Sequence, residues 1–147
     1  MYQRILVATD DSRLSRKAVK SAIDLAAALE AELVIAHVVP RYPVAFFEGA
    51  VAMEAVDVSR IEQQWAEKGQ SVVDAAARTA RTAGVAARGV VVQSDRVADA
   101  LLSAAKKHRC ELLVMASHGR RGLQRVLLGS ETQHVLTRGT LPVLVLR

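Results

Sequence analysis

Apolar residues in this chain alternate between short continuous runs and longer stretches with an apolar residue every three or four positions. The first two runs, residues 5–8 and 33–39, are mostly aliphatic, which is typical of strands buried on both faces of a sheet. Three further runs rich in valine and leucine follow at 88–93, 111–115 and 143–146. The pattern therefore predicts five buried strands.

The stretch between the first two runs has the periodicity of an amphipathic helix. Asp11 or Ser12 can cap its amino end, because both side chains accept hydrogen bonds from backbone N–H groups. The predicted buried face consists of Leu14, Ala18, Ala22, Leu25 and Leu29.

Three more helices are predicted between the later runs. One covers about 58–83 and is ended by Gly84. The next begins at a cap provided by Ser94 or Asp95, and the last covers about 130–137. Helices and strands thus alternate along the whole chain.

This alternation predicts an α/β fold in one domain, residues 1–147. The expected architecture is a three-layer α/β/α sandwich, Rossmann-like, with a five-stranded parallel sheet in the order 3-2-1-4-5. In such sheets ligands bind beyond the carboxyl ends of the strands, where the strand order reverses. With this order, strands one and four flank that point.

Two clusters of small and polar residues follow these two strands. Thr9 and Asp10 come after the first strand, and residues 115–119 (Met-Ala-Ser-His-Gly) complete the fourth and continue beyond it. Under the assumed order they face each other across one crevice. Asp10 suits ribose hydroxyls or a metal, and a turn or helix-capping role explains it equally well.

A Gly-Ser pair, residues 129–130, opens the last helix and is separated from Gly119 by nine residues. Small residues let backbone approach a ligand, and a helix amino end attracts anions, so the stretch resembles two halves of an anion cradle. The alternative is a plain connection in which Ser130 caps its own helix through a capping box with Gln133.

Composition and charge narrow the class of protein only in part. Apolar residues make up 51%, and 20 lysines and arginines against 15 acidic residues give a net charge of +5. Nucleotides, nucleic acids and acidic proteins all suit that charge. The single cysteine, Cys110, excludes a disulfide within the chain and is expected to be a small core residue. Without a signal-peptide core or a membrane-length apolar run, a cytoplasmic protein is expected, with no membrane partner.

A long connection, residues 40–57, separates the second strand from the next helix. It holds three of the five aromatic residues, Tyr42, Phe46 and Phe47, and a short helix is predicted through 49–55. Such a segment acts as a lid over a site, or as a flap that seals the core or contacts another subunit.

The sequence lacks the motifs of several common binding and catalytic sites. The phosphate loop with lysine, the dinucleotide fingerprint and the nucleophile elbow are all missing. The histidines, at 37, 108, 118 and 134, lack metal-ligand spacing. No general base is recognisable, so the sequence predicts no dedicated ATPase, although slow hydrolysis of bound ATP is compatible with it.

Several segments, taken together, resemble the universal stress protein family in its ATP-binding branch. They are residues 7–10 (Val-Ala-Thr-Asp), 36–38 (Ala-His-Val), 117–119 (Ser-His-Gly), 129–130 (Gly-Ser) and 141–145 (Leu-Pro-Val-Leu-Val). The similarity covers essentially the whole chain. It implies an adenine nucleotide alpha hydrolase-like fold and the motif Gly, two residues, Gly, nine residues, Gly and Ser or Thr.

The resemblance also implies a set of nucleotide contacts. Ala8, Thr9, Asp10 and the Val38 backbone belong to the adenine and ribose side. Ala116, Ser117, His118 and Gly119 belong to the ribose and α-phosphate, and Gly129, Ser130 and Thr132 to the outer phosphates. Met115, Arg120 and Glu131 complete the predicted site. The implied ligand is ATP, AMP or ADP, with magnesium reaching Asp10 only as part of magnesium–ATP.

Two positions have a physical consequence for such a ligand. Ala116 stands where the motif has its first glycine, and its methyl group narrows the approach of a phosphate if φ is positive there. Glu131 suits a helix amino end but repels a nearby phosphate.

The leading functional hypothesis is a nucleotide-binding regulatory stress protein in which the nucleotide is a ligand. The alternatives are a nucleotide-free member of the family that acts through protein contacts, a phospho-accepting receiver domain and a nucleic-acid binder. The receiver lacks its central aspartate and its late lysine. Nucleic-acid binding is disfavoured because a recognised motif and interleaved aromatic residues are missing.

The last strand predicts how the protein assembles. In the assumed order it is a sheet edge, and an apolar edge invites pairing with another chain. The family resemblance implies the same contact. A homodimer is therefore expected through Pro142, Val143, Leu144, Val145 and Leu146.

Overall fold

The computed structural model describes residues 1–42, 55–119 and 128–147. Strands and helices alternate along these residues. The strands are β1 (Arg4–Ala8), β2 (Glu32–Val39), β3 (Ala87–Gln93), β4 (Leu112–Ala116) and β5 (Val143–Leu146). The helices are α1 (Arg13–Leu29), α2 (Ala55–Thr82), α3 (Val97–Lys107) and α4 (Ser130–Arg138).

The five strands form one parallel sheet in the order β3-β2-β1-β4-β5, which confirms the predicted fold class. Val7 of β1 lies opposite Ile35 on one side and Val114 on the other. The chain therefore reverses its direction of winding between β1 and β4, and the carboxyl ends of those strands border the crevice that the order predicts.

Helices cover both faces of the sheet, and side chains alternate between two hydrophobic clusters. Ile5 and Val7 belong to the cluster that also includes α1 and α2, whereas Leu6 belongs to the cluster with α3 and α4. All three are completely buried. The short apolar runs are thus central strands that contact helices on each side.

Helix α1 begins at the predicted cap, but the residues that it buries differ in part from those predicted. Ser12 is the N-cap, and its side chain accepts a hydrogen bond from the Ser15 backbone N–H at 3.2 Å. The predicted buried face is wrong in part, because Leu14, Leu25 and Leu29 are only half-buried. Small residues let the helix lie close to the sheet. The buried positions are Ser15, Ala18, Val19, Ala22, Ile23 and Ala26.

Helix α2 lies equally close to β3, because Gly89 leaves room for it. A Cβ atom at Gly89 would be 2.6 Å from Cγ2 of Val73, a separation that real contacts do not allow. Gly84 ends the helix region with φ of +82°, a conformation that favours glycine. The predicted helix and its stop are both confirmed.

The predicted caps of α3 are wrong. Arg96 occupies the N-cap position and makes no side-chain capping bond. The Ser94 hydroxyl accepts from the Arg96 N–H instead, and the Asp95 carboxylate accepts from the Arg41 N–H at 2.9 Å. Neither of the two predicted side chains therefore caps α3.

Cys110 packs against the cluster on the α3 and α4 face, as predicted for a small core residue. Burial raises the pKa of its thiol to about 11. At neutral pH the thiol is therefore protonated and weakly nucleophilic, since the thiolate is the reactive form.

The long connection is described at its two ends. Tyr42 stacks on Trp65 of α2 with ring centroids 6.0 Å apart. Residues 55–57 belong to the start of α2, whereas Phe46, Phe47 and residues 49–54 of the predicted short helix lie outside the described residues. Across residues 1–42, 55–119 and 128–147, no helix combines the length and apolar character needed to cross a membrane.

Candidate functional site

A cavity of about 510 Å³ lies at the carboxyl ends of β1, β2 and β4, next to the amino ends of α3 and α4. The switch point of the sheet is thus an open crevice. Most of the predicted site residues line it. They are Ala8, Thr9, Asp10, Val38, Met115, Ala116, His118, Gly119, Gly129, Ser130, Glu131 and Thr132.

Among the predicted site residues that the structure describes, Ser117 does not line the cavity. Ser117 is 7% exposed and has a structural role, because its N–H donates to the Leu146 carbonyl and its own carbonyl accepts from the Gly129 N–H, both at 2.7 Å. The Ser117 hydroxyl lies 3.2 Å from Nδ1 of His118. Arg120 lies outside the described residues.

Four cavity residues were missing from the sequence-based site. Ser15, Ala36, Val97 and Leu101 also line it. Ala36 is paired with Ala8 in the sheet, so the strand order already places it at the same edge. Val97 and Leu101 lie one turn apart at the start of α3, where a βα unit brings a helix to the carboxyl edge. The alternation of strands and helices in the sequence could therefore have identified both residues.

The loop after β1 is held by a small network of hydroxyl groups. The Thr9 and Ser15 hydroxyls are 3.1 Å apart, and the Asp10 N–H donates to the Ser15 hydroxyl at 3.3 Å. Oδ1 of Asp10 accepts from the Ser12 N–H at 3.0 Å. Asp10 therefore both stabilises the turn before α1 and lines the cavity.

Gly119 allows a close approach between two loops. A Cβ atom there would lie 2.5 Å from Oδ2 of Asp10, so a larger residue at 119 would displace the Asp10 carboxylate. This contact joins the two loops that the sequence placed on opposite sides of the crevice.

Gly129 has a similar role on the other side of the same loop. Its N–H donates to the Ser117 carbonyl, and a Cβ atom would lie 3.2 Å from both that oxygen and Cα of His118. The Thr132 hydroxyl, in a side chain 2% exposed, lies 3.0 Å from the Ala116 carbonyl and 3.2 Å from that of Ser117. The start of α4 is thus fixed directly to the loop.

The predicted capping box of α4 is wrong. Gly129 is the N-cap, Ser130 is the first helical residue, and no side chain caps it through the box. Nε2 of Gln133 donates instead to the Leu128 carbonyl at 2.9 Å. The first turn of α4 therefore borders the cavity without a serine cap.

Ala116 does not narrow the cavity through backbone strain. It is the last residue of β4, and it is not among the described residues with positive φ. The condition under which its methyl group would obstruct a phosphate is therefore not met.

Glu131 caps a different helix from its own. Its Oε2 accepts a hydrogen bond from the Ala98 N–H of α3 at 3.0 Å. A carboxylate in such a position stabilises a helix by about 1 kcal/mol. This contact supplies the cap that the residues before α3 do not provide.

The cavity wall is divided chemically. Val38, Val97, Leu101 and Met115 form an apolar part, while Asp10 belongs to a polar part with the loop residues and the start of α4. A flat ring with a polar, anionic substituent fits this division. Within the described residues, no three His, Cys, Asp or Glu side chains are placed to hold a metal ion.

The fold and the cavity define a doubly wound α/β protein with an open crevice at its switch point. The statistical model of the universal stress protein family matches residues 1–147, and the chain belongs to that family. The chain is 32% identical to universal stress protein YxiE of Bacillus subtilis over 149 residues, which covers all of both proteins.

Solved structures agree with this assignment. A universal stress protein family member from Burkholderia pseudomallei has a TM-score of 0.76 and 28% identity, with 98% of this chain and 95% of that one covered. A universal stress protein in complex with cAMP has a TM-score of 0.71 and 29% identity, with 99% and 97% covered.

We predict that Gly119→Ala destabilises the protein by displacing the Asp10 carboxylate. The added Cβ atom forces that side chain from its rotamer, at a cost of about 1 kcal/mol. Urea unfolding measures the loss. In an Asp10→Ser background the same substitution should cost less than half as much, and an equal cost in both backgrounds would disprove the contact.

Proposed function

We propose that this protein is a regulatory universal stress protein that binds an adenine nucleotide in the cavity at the switch point. The candidate ligands are ATP, ADP and AMP, with magnesium accompanying ATP. The observation that supports this most directly is the meeting of the apolar wall, the Asp10 loop and the first turn of α4 around one space of about 510 Å³.

The division of the wall suggests the orientation of the ligand. Val38, Val97 and Leu101 offer an apolar surface of the kind on which an adenine ring packs. Asp10 supplies a carboxylate suited to ribose hydroxyls, and the phosphates would approach the amino end of α4. The cAMP complex of a 29% identical family member supports an adenine nucleotide as the ligand class.

The proposal treats the nucleotide as a ligand that biases conformation or assembly, at most slowly hydrolysed. The carboxylates in the wall each accept a backbone N–H, Asp10 from Ser12 and Glu131 from Ala98. Both are thereby suited to fixing the shape of the site. In this proposal the chain acts as one domain, in the cytoplasm, as part of a stress response.

We predict that AMP and magnesium–ATP bind, and that Gly129→Asp abolishes binding by placing a carboxylate in the anion cradle. Gly129→Ala is the matched control, since both variants carry the Cβ atom that lies 3.2 Å from the Ser117 carbonyl. Calorimetric titration and thermal shift are the measurements. The absence of heat and of any shift at millimolar nucleotide would reject the proposed function.

The exposed edge of β5 supports a homodimer as the functional assembly. Leu144 is 39% exposed, unusually high for a large apolar residue in a sheet. The Pro142 and Leu146 carbonyls accept from β4, so by alternation the backbone groups of Val143 and Val145 face away from the sheet. Two copies can pair antiparallel through residues 142–146.

We predict that Val145→Pro makes the protein monomeric, because it removes an outward N–H and leaves the pairing with β4 intact. Val145→Thr keeps both that N–H and the β-branched shape, and should remain dimeric. Analytical ultracentrifugation at tens of micromolar separates the outcomes. A monomeric wild type, or a dimeric proline variant, would exclude this interface.

A further inference from the structure

Glu131 lies in the segment where the phosphates are proposed to bind. Asp10 and Glu131 both line the cavity, and they come from different elements of the fold. Asp10 precedes α1, whereas Glu131 lies in the first turn of α4, directly after the Gly-Ser pair. An anion bound at the start of α4 therefore meets the Glu131 side chain as its neighbour.

The Glu131 carboxylate is anchored by a hydrogen bond, although 45% of its side chain is exposed. Oε2 accepts from the Ala98 N–H at 3.0 Å and lies 4.0 Å from Nδ1 of His134. Hydrogen bonds from a helix amino end to a carboxylate are charge-assisted, and the helix dipole strengthens them. Moving this side chain away would remove the one side-chain cap observed at the start of α3.

The hydrogen bond between Glu131 and the Ala98 N–H links the two ends of the proposed ligand site. Glu131 belongs to the helix that would receive the phosphates, and Ala98 follows Val97, which lines the apolar wall. The negative charge is thus fixed between the adenine side and the phosphate side. It satisfies the amino end of α3, which then offers less attraction to a phosphate.

We propose that Glu131 sets the selectivity of the site for the number of phosphate groups on the ligand. Its negative charge favours adenine nucleotides with a single phosphate over triphosphates. This inference rests on the proposed function. Each additional phosphate places more negative charge near the fixed carboxylate, so the repulsion grows along the series adenosine, AMP, ADP and ATP. The neutral nucleoside meets no such penalty.

The test compares the affinities of these four compounds, without magnesium and at constant ionic strength, for the wild type and two variants. Glu131→Gln removes the charge and keeps an oxygen that can accept from the Ala98 N–H. Glu131→Asp keeps the charge and shortens the reach. Glu111→Gln is the matched control, since the Glu111 carboxylate accepts from the backbone N–H of Gln3 at 2.6 Å. Glu111 directly precedes β4, so it lies at the amino ends of the strands, whereas the cavity lies at their carboxyl ends.

In Glu131→Gln, ATP affinity should rise by roughly tenfold or more, AMP affinity by about threefold, and adenosine affinity by less than about twofold. Glu131→Asp and Glu111→Gln should keep the wild-type ratio of ATP to adenosine affinity. If the affinity for ATP relative to adenosine rises in Glu131→Gln and not in the other two variants, the result supports the role of the negative charge.

Two outcomes would overturn the inference, and they are distinguishable. If all four compounds bind and Glu131→Gln changes their affinities by one common factor, the residue acts on the fold alone and the proposed function stands. If none of the four binds to the wild type or to any variant, the proposed function fails together with the inference. Circular dichroism and thermal melting verify that each variant is folded.

Discussion

The close contact between the loop after β4 and the first turn of α4 is the constraint on which the site depends. Gly129 donates to the Ser117 carbonyl at 2.7 Å, and the Thr132 hydroxyl lies within hydrogen-bonding distance of the same segment. A Cβ atom at 129 would lie 3.2 Å from the Ser117 carbonyl oxygen and from Cα of His118, so a larger residue there requires these neighbours to shift slightly. The loop is thereby fixed while Gly119 brings its other side to Asp10, so one short segment joins both walls of the cavity.

This arrangement gives the glycines of the motif a structural meaning. Gly119 and Gly129 admit protein atoms, namely the Asp10 carboxylate and the Ser117 backbone. Neither has positive φ, so the close approach of neighbouring atoms rather than backbone conformation favours glycine at both positions. Ala116 replaces a glycine of the motif at the end of a strand, where a methyl group causes no backbone strain. The order of small residues therefore shapes the crevice before any ligand enters it.

The strands followed from the sequence because continuous apolar runs alternate with helical stretches, whereas their order was an assumption that the structure confirms. The residues at the strand ends followed from that order, including Asp10 and Gly119. The caps did not, since Glu131 is 33 positions from the Ala98 N–H that it satisfies and no local pattern reports such a contact. The face of α1 was also misjudged, because hydrophobic spacing alone favoured leucines over the small residues that lie nearest the sheet.

Membership of the universal stress protein family rests on the whole chain, whereas the identity of the ligand rests on the division of one cavity wall. The central claim is that an adenine ring packs between β2 and α3. The most direct measurement is a set of nuclear Overhauser effects between the H2 and H8 protons of bound AMP and protein methyl groups. The account predicts contacts to Val97, Leu101 and Val38. Contacts instead to Val90 or Val92, in the groove between β3 and α3, would contradict it.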